Sequence, residues 1–263
     1  MNCMDALAKQ IRESILRISH HSGHGHIPTC FSVVEMLCAV YKSIRHDPKN
    51  PGWKERDIFI LSKGHAALGL YCTLAHFGYF PVEDVYAFGA FGSRFGCHAD
   101  RFKVPGVELS TGSLGHGIGV ALGMALGFKL SGSERRVYVM VGDGESNEGT
   151  VWESLMVAAN RSLNNLTVLL DNNGSQSRCL PIDDPQAKLS AFGLDVVSVD
   201  GHNITAISRA LEHSNSKPRA IIANTTKGAG CATLVRDMFA WHRRSPNAAE
   251  LETLLGELNA AAV

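Results

Sequence analysis

Apolar positions along the chain follow two rhythms. Over residues 3–20, Leu7, Ile11, Ile15 and Ile18 recur at helical spacing, which predicts an amphipathic first helix. A polar, histidine-rich break follows, HHSGHGHIPT, and Ser32 is the expected N-cap of a second helix, VVEMLCAVYKSI. Beyond the turn KNPGW the rhythm changes. IFILS at 58–62, RVYVMV at 136–141, LTVLLD at 166–171, DVVSV at 195–199 and AIIAN at 220–224 are short, continuous apolar runs and read as buried strands. Helical segments stand between them: AALGLYCTLAHF after Lys63-Gly64-His65, a glycine-rich stretch from Ser113 to about Leu130, 150–161 and about 203–213, with a last helix after Pro246. Residues 78–112 are rich in glycine and proline and read mostly as loop. Strands that alternate with helices and lack a polar face predict an α/β fold, an open and mainly parallel sheet with helices on both faces. No repeat, linker or low-complexity segment interrupts it, so residues 1–263 read as a single domain.

Composition narrows the function classes. At 45% hydrophobic and 19% charged, a chain of 263 residues has room for one sizeable core and is not disordered. Lys+Arg and Asp+Glu are both 25, which argues against a general nucleic-acid footprint. No apolar stretch is long and unbroken enough to span a bilayer, and the N-terminal MNCMDALAKQIRES lacks the core of a secretory signal, so a cytoplasmic protein away from membranes is expected. The seven cysteines are scattered, form no CxxC and show no metal-ligand spacing; they read as reduced thiols. What remains unusual is 26 glycines and 12 histidines, a composition that suits a catalytic surface handling anions.

In an open parallel sheet, ligands sit beyond the carboxyl ends of the strands. Two predicted strands end in matched loops, Gly142-Asp143-Gly144 and Asp171-Asn172-Asn173-Gly174-Ser175. Asp143 offers a carboxylate, Asn173 an amide oxygen and Ser175 a main-chain carbonyl. Three hard oxygens suit Mg²⁺ or Ca²⁺, and Mg²⁺ commonly leaves its other positions to phosphate and water. Gly142 and Gly144 permit close approach of a diphosphate at the start of the following helix. A dinucleotide fingerprint is absent, since no GxGxxG follows a strand.

GDGESNEG followed by LLDNNG resembles the thiamine-diphosphate motif in the form found in transketolases. GHIPTCFSVVEML, ERDIFILSKGHAALGLY, PGVELSTGSLGHGIGVALGMA and KGAG…WH fall in that family's order, so the resemblance spans nearly the whole chain. It implies a thiamine-diphosphate-binding fold in which Asp143, Asn173 and the Ser175 carbonyl hold Mg²⁺. It further implies that His65, Gly144 and His242 contact the diphosphate, and that Gly112 and Leu114 run beside the cofactor rings. His26, His65, His98 and His242 match active-site histidines that bind sugar hydroxyls and move protons. Glu148 matches an acid in a carboxylate network across the interface between subunits, although it could equally cap the next helix. His24 competes with His26 for the first histidine; the gapless register to Ser32-Val33-Val34-Glu35 favours His26.

Some positions depart from the family pattern. His116 stands where glutamine is usual, Ser177 replaces an apolar wall residue, and WHGK becomes Trp241-His242-Arg243-Arg244. The two arginines could grip an anionic substrate or be plain surface charge. Transketolases run to well over twice this length; the pyrimidine and C-terminal domains are expected on a separate chain. The resemblance therefore implies the N-terminal, thiamine-diphosphate-binding subunit of a split transketolase. It would move a two-carbon ketol unit from a ketose, phosphorylated or otherwise anionic, to an aldose, in a heterotetramer with the chain that carries the missing domains. The alternatives are a deoxyxylulose-phosphate synthase-like or 2-oxoacid dehydrogenase-like component, or a regulatory subunit without catalysis of its own.

Overall fold

A computed structural model describes residues 3–212 and 216–261. Helices α1 (Cys3–Ser22), α2 (Ile27–Ser32) and α3 (Val34–Ser43) precede strand β1 (Ile58–Leu61), which leads through a 3₁₀ turn into α4 (Ala67–His76). A long irregular segment containing one 3₁₀ turn, Val82–Ala87, connects to α5 (His116–Leu130). Then follow β2 (Val137–Gly142), α6 (Gly149–Asn160), β3 (Leu166–Asn172), α7 (Pro185–Ala191), β4 (Asp195–Asp200), α8 (Ile204–Leu211), β5 (Arg219–Asn224), α9 (Ala232–Arg236) and α10 (Ala248–Ala260). The expected helix at 203–213 runs at its end into residues outside those described.

All five expected strands form one parallel sheet in the order β1-β2-β3-β5-β4. Their side chains divide by parity. Phe59, Leu61, Tyr138, Met140, Leu169 and Ile221 face a layer built from α1–α4, α8 and α10. Ile58, Ile60, Val139, Val141, Val168 and Ile222 face α5, α6 and α7. With both faces covered, alternation of polar and apolar residues would leave polar groups in a core, which is why the strands read as unbroken apolar runs.

Three local expectations are corrected. Ser32 is not an N-cap: it is the last residue of α2, and its hydroxyl lies 2.8 Å from Asp171 Oδ2 and 3.0 Å from the Thr29 carbonyl. Val33 occupies the cap of α3 without a side-chain bond. The glycine-rich helix starts at His116 rather than Ser113, because Gly115 takes a left-handed φ of +78° that ends the preceding turn. A Cβ there would fall 2.5 Å from Thr150 Oγ1, so glycine is needed for space as well as for conformation. Helices α7 and α9 were not expected. Among the described residues no helix is long and apolar enough to cross a membrane.

Candidate functional site

The parallel sheet brings the ends of β1, β2, β3 and β5 to one edge. There they bound a cavity of about 350 Å³ whose lining includes His26, His65, His98, Gly112, Leu114, Asp143, Gly144, Ser175 and His242. Asn173 is buried immediately beneath it, beside Ser175. A larger hollow of about 590 Å³ lies at the amino ends of the strands, lined by Arg45, Asp57 and Arg136. Arg45 and Asp57 pair with each other there, so that hollow offers little free chemistry.

The floor of the cavity is built around a buried ion pair. Lys63, directly after β1, and Asp171, near the end of β3, bond to each other with their side chains 2% and 0% exposed. Burial opposes the charge on Asp171, but Lys63 prevails and holds the carboxyl below its ordinary range. Asp171 also accepts from Ser32 at 2.8 Å, from Thr225 at 2.5 Å and from the Asn173 amide nitrogen at 2.7 Å. That last bond fixes the amide of Asn173, so its oxygen turns toward Ser175 and accepts from the Ser175 main chain at 3.0 Å. Gly174 between them has φ +72°, the left-handed turn that brings Ser175 round.

Asp143 sits beside this group, 5% exposed. Its carboxylate accepts from Gly144 N at 2.7 Å and from Gln176 N at 3.3 Å, and it makes no ion pair among the described residues. Burial raises its pKa, with Asp171 adding to the effect. A buried carboxylate without a cation, next to an oriented amide oxygen, is a donor set suited to a hard divalent cation. Glu145 is buried too, accepting from Ser62, Gly115 N and Gly142 N; it braces the turn after β2 against the start of α5.

Above the floor stand three imidazoles in mutual contact. Ring centroids of His26 and His242 are 5.3 Å apart, those of His26 and His65 are 5.5 Å, and those of His65 and His242 are 6.2 Å. Burial, with Lys63 and the neighbouring histidines adding, pulls His65 down to about 2. Burial followed by His242 and Arg243 pulls His26 down to about 4, and burial followed by Lys227 and Arg243 lowers His242. All three are therefore neutral near pH 7, each able to donate from one nitrogen and accept at the other. Lys227, in the turn after β5, reaches in from below. It donates to Ser175 Oγ at 2.8 Å and lies 3.4 Å from His242 Nδ1, and burial lowers its pKa to about 8.

The structure sorts the sequence candidates. His26 faces the cavity, whereas His24 lies outside it, its ring packed over Gly89. Glu148 holds the cap position of α6 without a capping bond and is exposed, away from the cavity lining. His116 and Ser177 are exposed and likewise do not line the cavity. Arg244 stacks 3.9 Å over the buried Trp241 ring and pairs with Glu250 of α10, so it serves packing; Arg243 lines the cavity. Sequence reasoning gave no role to Lys63, Asp171 or Lys227. Two lysines standing directly before glycine at strand ends, Lys63-Gly64 and Lys227-Gly228, were the available signal.

Comparison with known proteins adds the following. Residues 4–254 match the family model described as transketolase, thiamine diphosphate binding domain. One of the two subunits of an apulose-4-phosphate transketolase, from Actinobacillus succinogenes, is 40% identical over 97% of this chain and 95% of its own. A 6-deoxy-6-sulfo-D-fructose transketolase subunit from a Clostridium species is 38% identical over 86% of this chain and 85% of its own. A transketolase from Pichia stipitis, solved with fructose 6-phosphate, superimposes with a TM-score of 0.90 at 28% identity, covering 98% of this chain but 41% of that one.

Proposed function

The chain belongs to the family of transketolase thiamine-diphosphate-binding domains, and on that premise we propose that it is the cofactor-binding subunit of a two-chain transketolase. It would transfer a two-carbon ketol unit from an anionic ketose to an aldose. The observation that carries this reading is the single edge of the sheet where Asp143, Asn173, Ser175 and Lys227 lie beneath three neutral imidazoles. Thiamine diphosphate, when bound, supplies the carbon nucleophile that takes up the ketol fragment. Asp143, the Asn173 oxygen and the Ser175 carbonyl would hold Mg²⁺, with Ca²⁺ a permissible substitute, and Lys227, His65, His242 and Gly144 would receive the diphosphate. Leu114 and Gly112 would border the rings. His26, His98 and His242 would orient sugar hydroxyls and carry protons, a role for which neutral imidazoles suit.

A second chain would close the site. His98, Gly112, His242 and Arg243 are solvent-exposed on one flank of the cavity, so this chain alone does not exclude water there. The outer face of α5 and α6 is also apolar and uncovered: Val120, Leu130, Met156 and Val157 are exposed, and a Cβ on Gly123 or Gly127 would meet nothing within 4 Å. Two such surfaces support a heterotetramer, two copies of this chain with two of its partner, and Glu148, exposed at the start of α6, near the two-fold.

Reconstitution tests the proposal. The purified chain with saturating thiamine diphosphate and Mg²⁺ should form no ketol-transfer product, and activity should appear on mixing with the partner chain. Asp143→Ala in the mixture should lose Mg²⁺-dependent cofactor affinity. Turnover by this chain alone would overturn the split-enzyme reading, and unchanged metal dependence in the variant would overturn the assigned site.

A further inference from the structure

Four basic or imidazole groups crowd the cavity, and three are accounted for by neighbours. Lys63 is neutralised by Asp171. Lys227, 3% exposed, is bonded to Ser175 on the floor, and His242 lies against it. Arg243 differs: it lines the cavity, is exposed at its rim, and forms no hydrogen bond or ion pair among the described residues. Its neighbour Arg244 shows that a partner lay within reach of this segment, since that side chain is taken up by Trp241 and Glu250. The segment is also held in place from α1, where His20 Nδ1 lies 2.8 Å from the Pro246 carbonyl. A free guanidinium is thus presented by a braced loop.

Depth separates Arg243 from the diphosphate end. Asp143 and Lys227 are 5% and 3% exposed on the floor, the three imidazoles stand above them, and Arg243 stands beyond the imidazoles at the opening. The charge of Arg243 acts on His26 and His242, while His65, deepest of the three, responds to Lys63 and Lys227 instead. A cofactor whose diphosphate rests on the floor leaves this cation unanswered. A sugar entering from the opening brings its far end past it.

We propose that Arg243 determines substrate specificity by pairing with a terminal oxyanion, a phosphate or sulfonate, at the end of the sugar remote from the transferred carbons. The fork of the guanidinium suits two parallel bonds to such a group, which a lysine does not reproduce. This rests on the proposed ketol transfer, and it goes beyond that reading by assigning recognition of substrate charge to this chain and to one residue.

The test uses the complex reconstituted with its partner chain. Arg243→Ala, Arg243→Lys and Arg244→Ala are compared with the unmodified complex on a phosphorylated aldose, a sulfonated deoxy sugar and the neutral aldose. Binding of each sugar is measured by calorimetry alongside turnover, and the dissociation constant of thiamine diphosphate is measured in parallel. Arg243→Ala should raise KM and Kd for at least one anionic sugar by about 10- to 100-fold and change those for the neutral sugar less than about twofold, with cofactor affinity unchanged. Arg243→Lys should recover only part of the loss, and Arg244→Ala should not discriminate between sugars. Which anion loses more identifies the oxyanion read. Equal losses on charged and neutral sugars, no loss at all, or a loss of cofactor affinity instead would each overturn the proposal. If the complex binds anionic sugars through Arg243 yet transfers no ketol unit, the charge assignment stands and the reaction assignment fails.

Discussion

Replacing Asp171 by asparagine should damage both the fold and the site, in amounts the geometry allows to be separated. The substitution is nearly isosteric but leaves the Lys63 ammonium buried, 2% exposed, without a counter-charge. Removing one partner of a buried pair costs about 3–5 kcal/mol, because the remaining ion stays desolvated. For a domain of this size that is roughly a 10 °C fall in Tm. A second effect is local. The new amide places a donor where Asp171 now accepts from Asn173 and Ser32 at 2.7 and 2.8 Å, so the Asn173 oxygen loses its fixed direction toward Ser175. Thiamine diphosphate affinity in Mg²⁺ should therefore fall about tenfold or more, in line with the loss of a group that orients a metal ligand. Urea unfolding of Asp171→Asn, Lys63→Met and the double variant would be measured, with cofactor titration in parallel. The double variant should be less destabilised than the sum of the singles by about 2–3 kcal/mol, the coupling expected of contacting charges. An Asp171→Asn protein within about 1 kcal/mol of the unmodified chain, or strict additivity in the cycle, would refute the reasoning.

Two further outcomes are expected. His26→Ala should lower kcat/KM of the reconstituted complex by about 10²-fold, whereas His24→Ala should cost much less, and steady-state kinetics in the opposite order would put the motif two residues too late. Stability should fall as pH drops from about 6.5 toward 4. His26 and His65 have folded pKa values of about 4 and about 2, below the ordinary 6.5 of an unfolded histidine, so the unfolded chain binds more protons in that window. Each unmatched proton contributes about 1.4 kcal/mol per pH unit at most, and less at the partly exposed His26, so urea midpoints of a His26→Asn/His65→Asn variant should be flatter across it.

The sheet was legible because burial on both faces leaves a local mark, an unbroken apolar run, at every strand. The two ligand loops were legible because glycine-flanked Asp143 and Asn173 mark strand ends. The floor beneath them was not. Lys63 and Asp171 are 108 positions apart, and nothing near either predicts that a lysine will be buried. Ser32 misled for a related reason. Ser32-Val33-Val34-Glu35 has the form of a capping box, but the serine hydroxyl is taken by Asp171 and the Glu35 carboxylate by Arg12 of α1 at 2.5 Å. Tertiary partners displaced the local cap. The short helices α7 and α9 span too few residues to show a period, although Asp184-Pro185 does carry a start signal, and Asp184 caps α7.

The register of the sheet also bears on how the chain is made. Ile58 of β1 pairs with Val137 of β2, and Leu61 with Met140. During synthesis, IFIL therefore emerges with its own hydrogen-bonding edge unmatched until β2 has been translated. At about 5–20 residues per second that interval is on the order of 4–16 seconds, before any delay in clearing the ribosome exit tunnel. Helices α1 to α4 can gather over one face of the strand in that time, but nothing yet covers the other face or the edge. A four-residue apolar strand left open for seconds invites pairing with a neighbouring nascent chain. Slower translation of residues 62–136 would lengthen the exposure and lower the yield of folded protein, and a holdase that shields this segment would raise it.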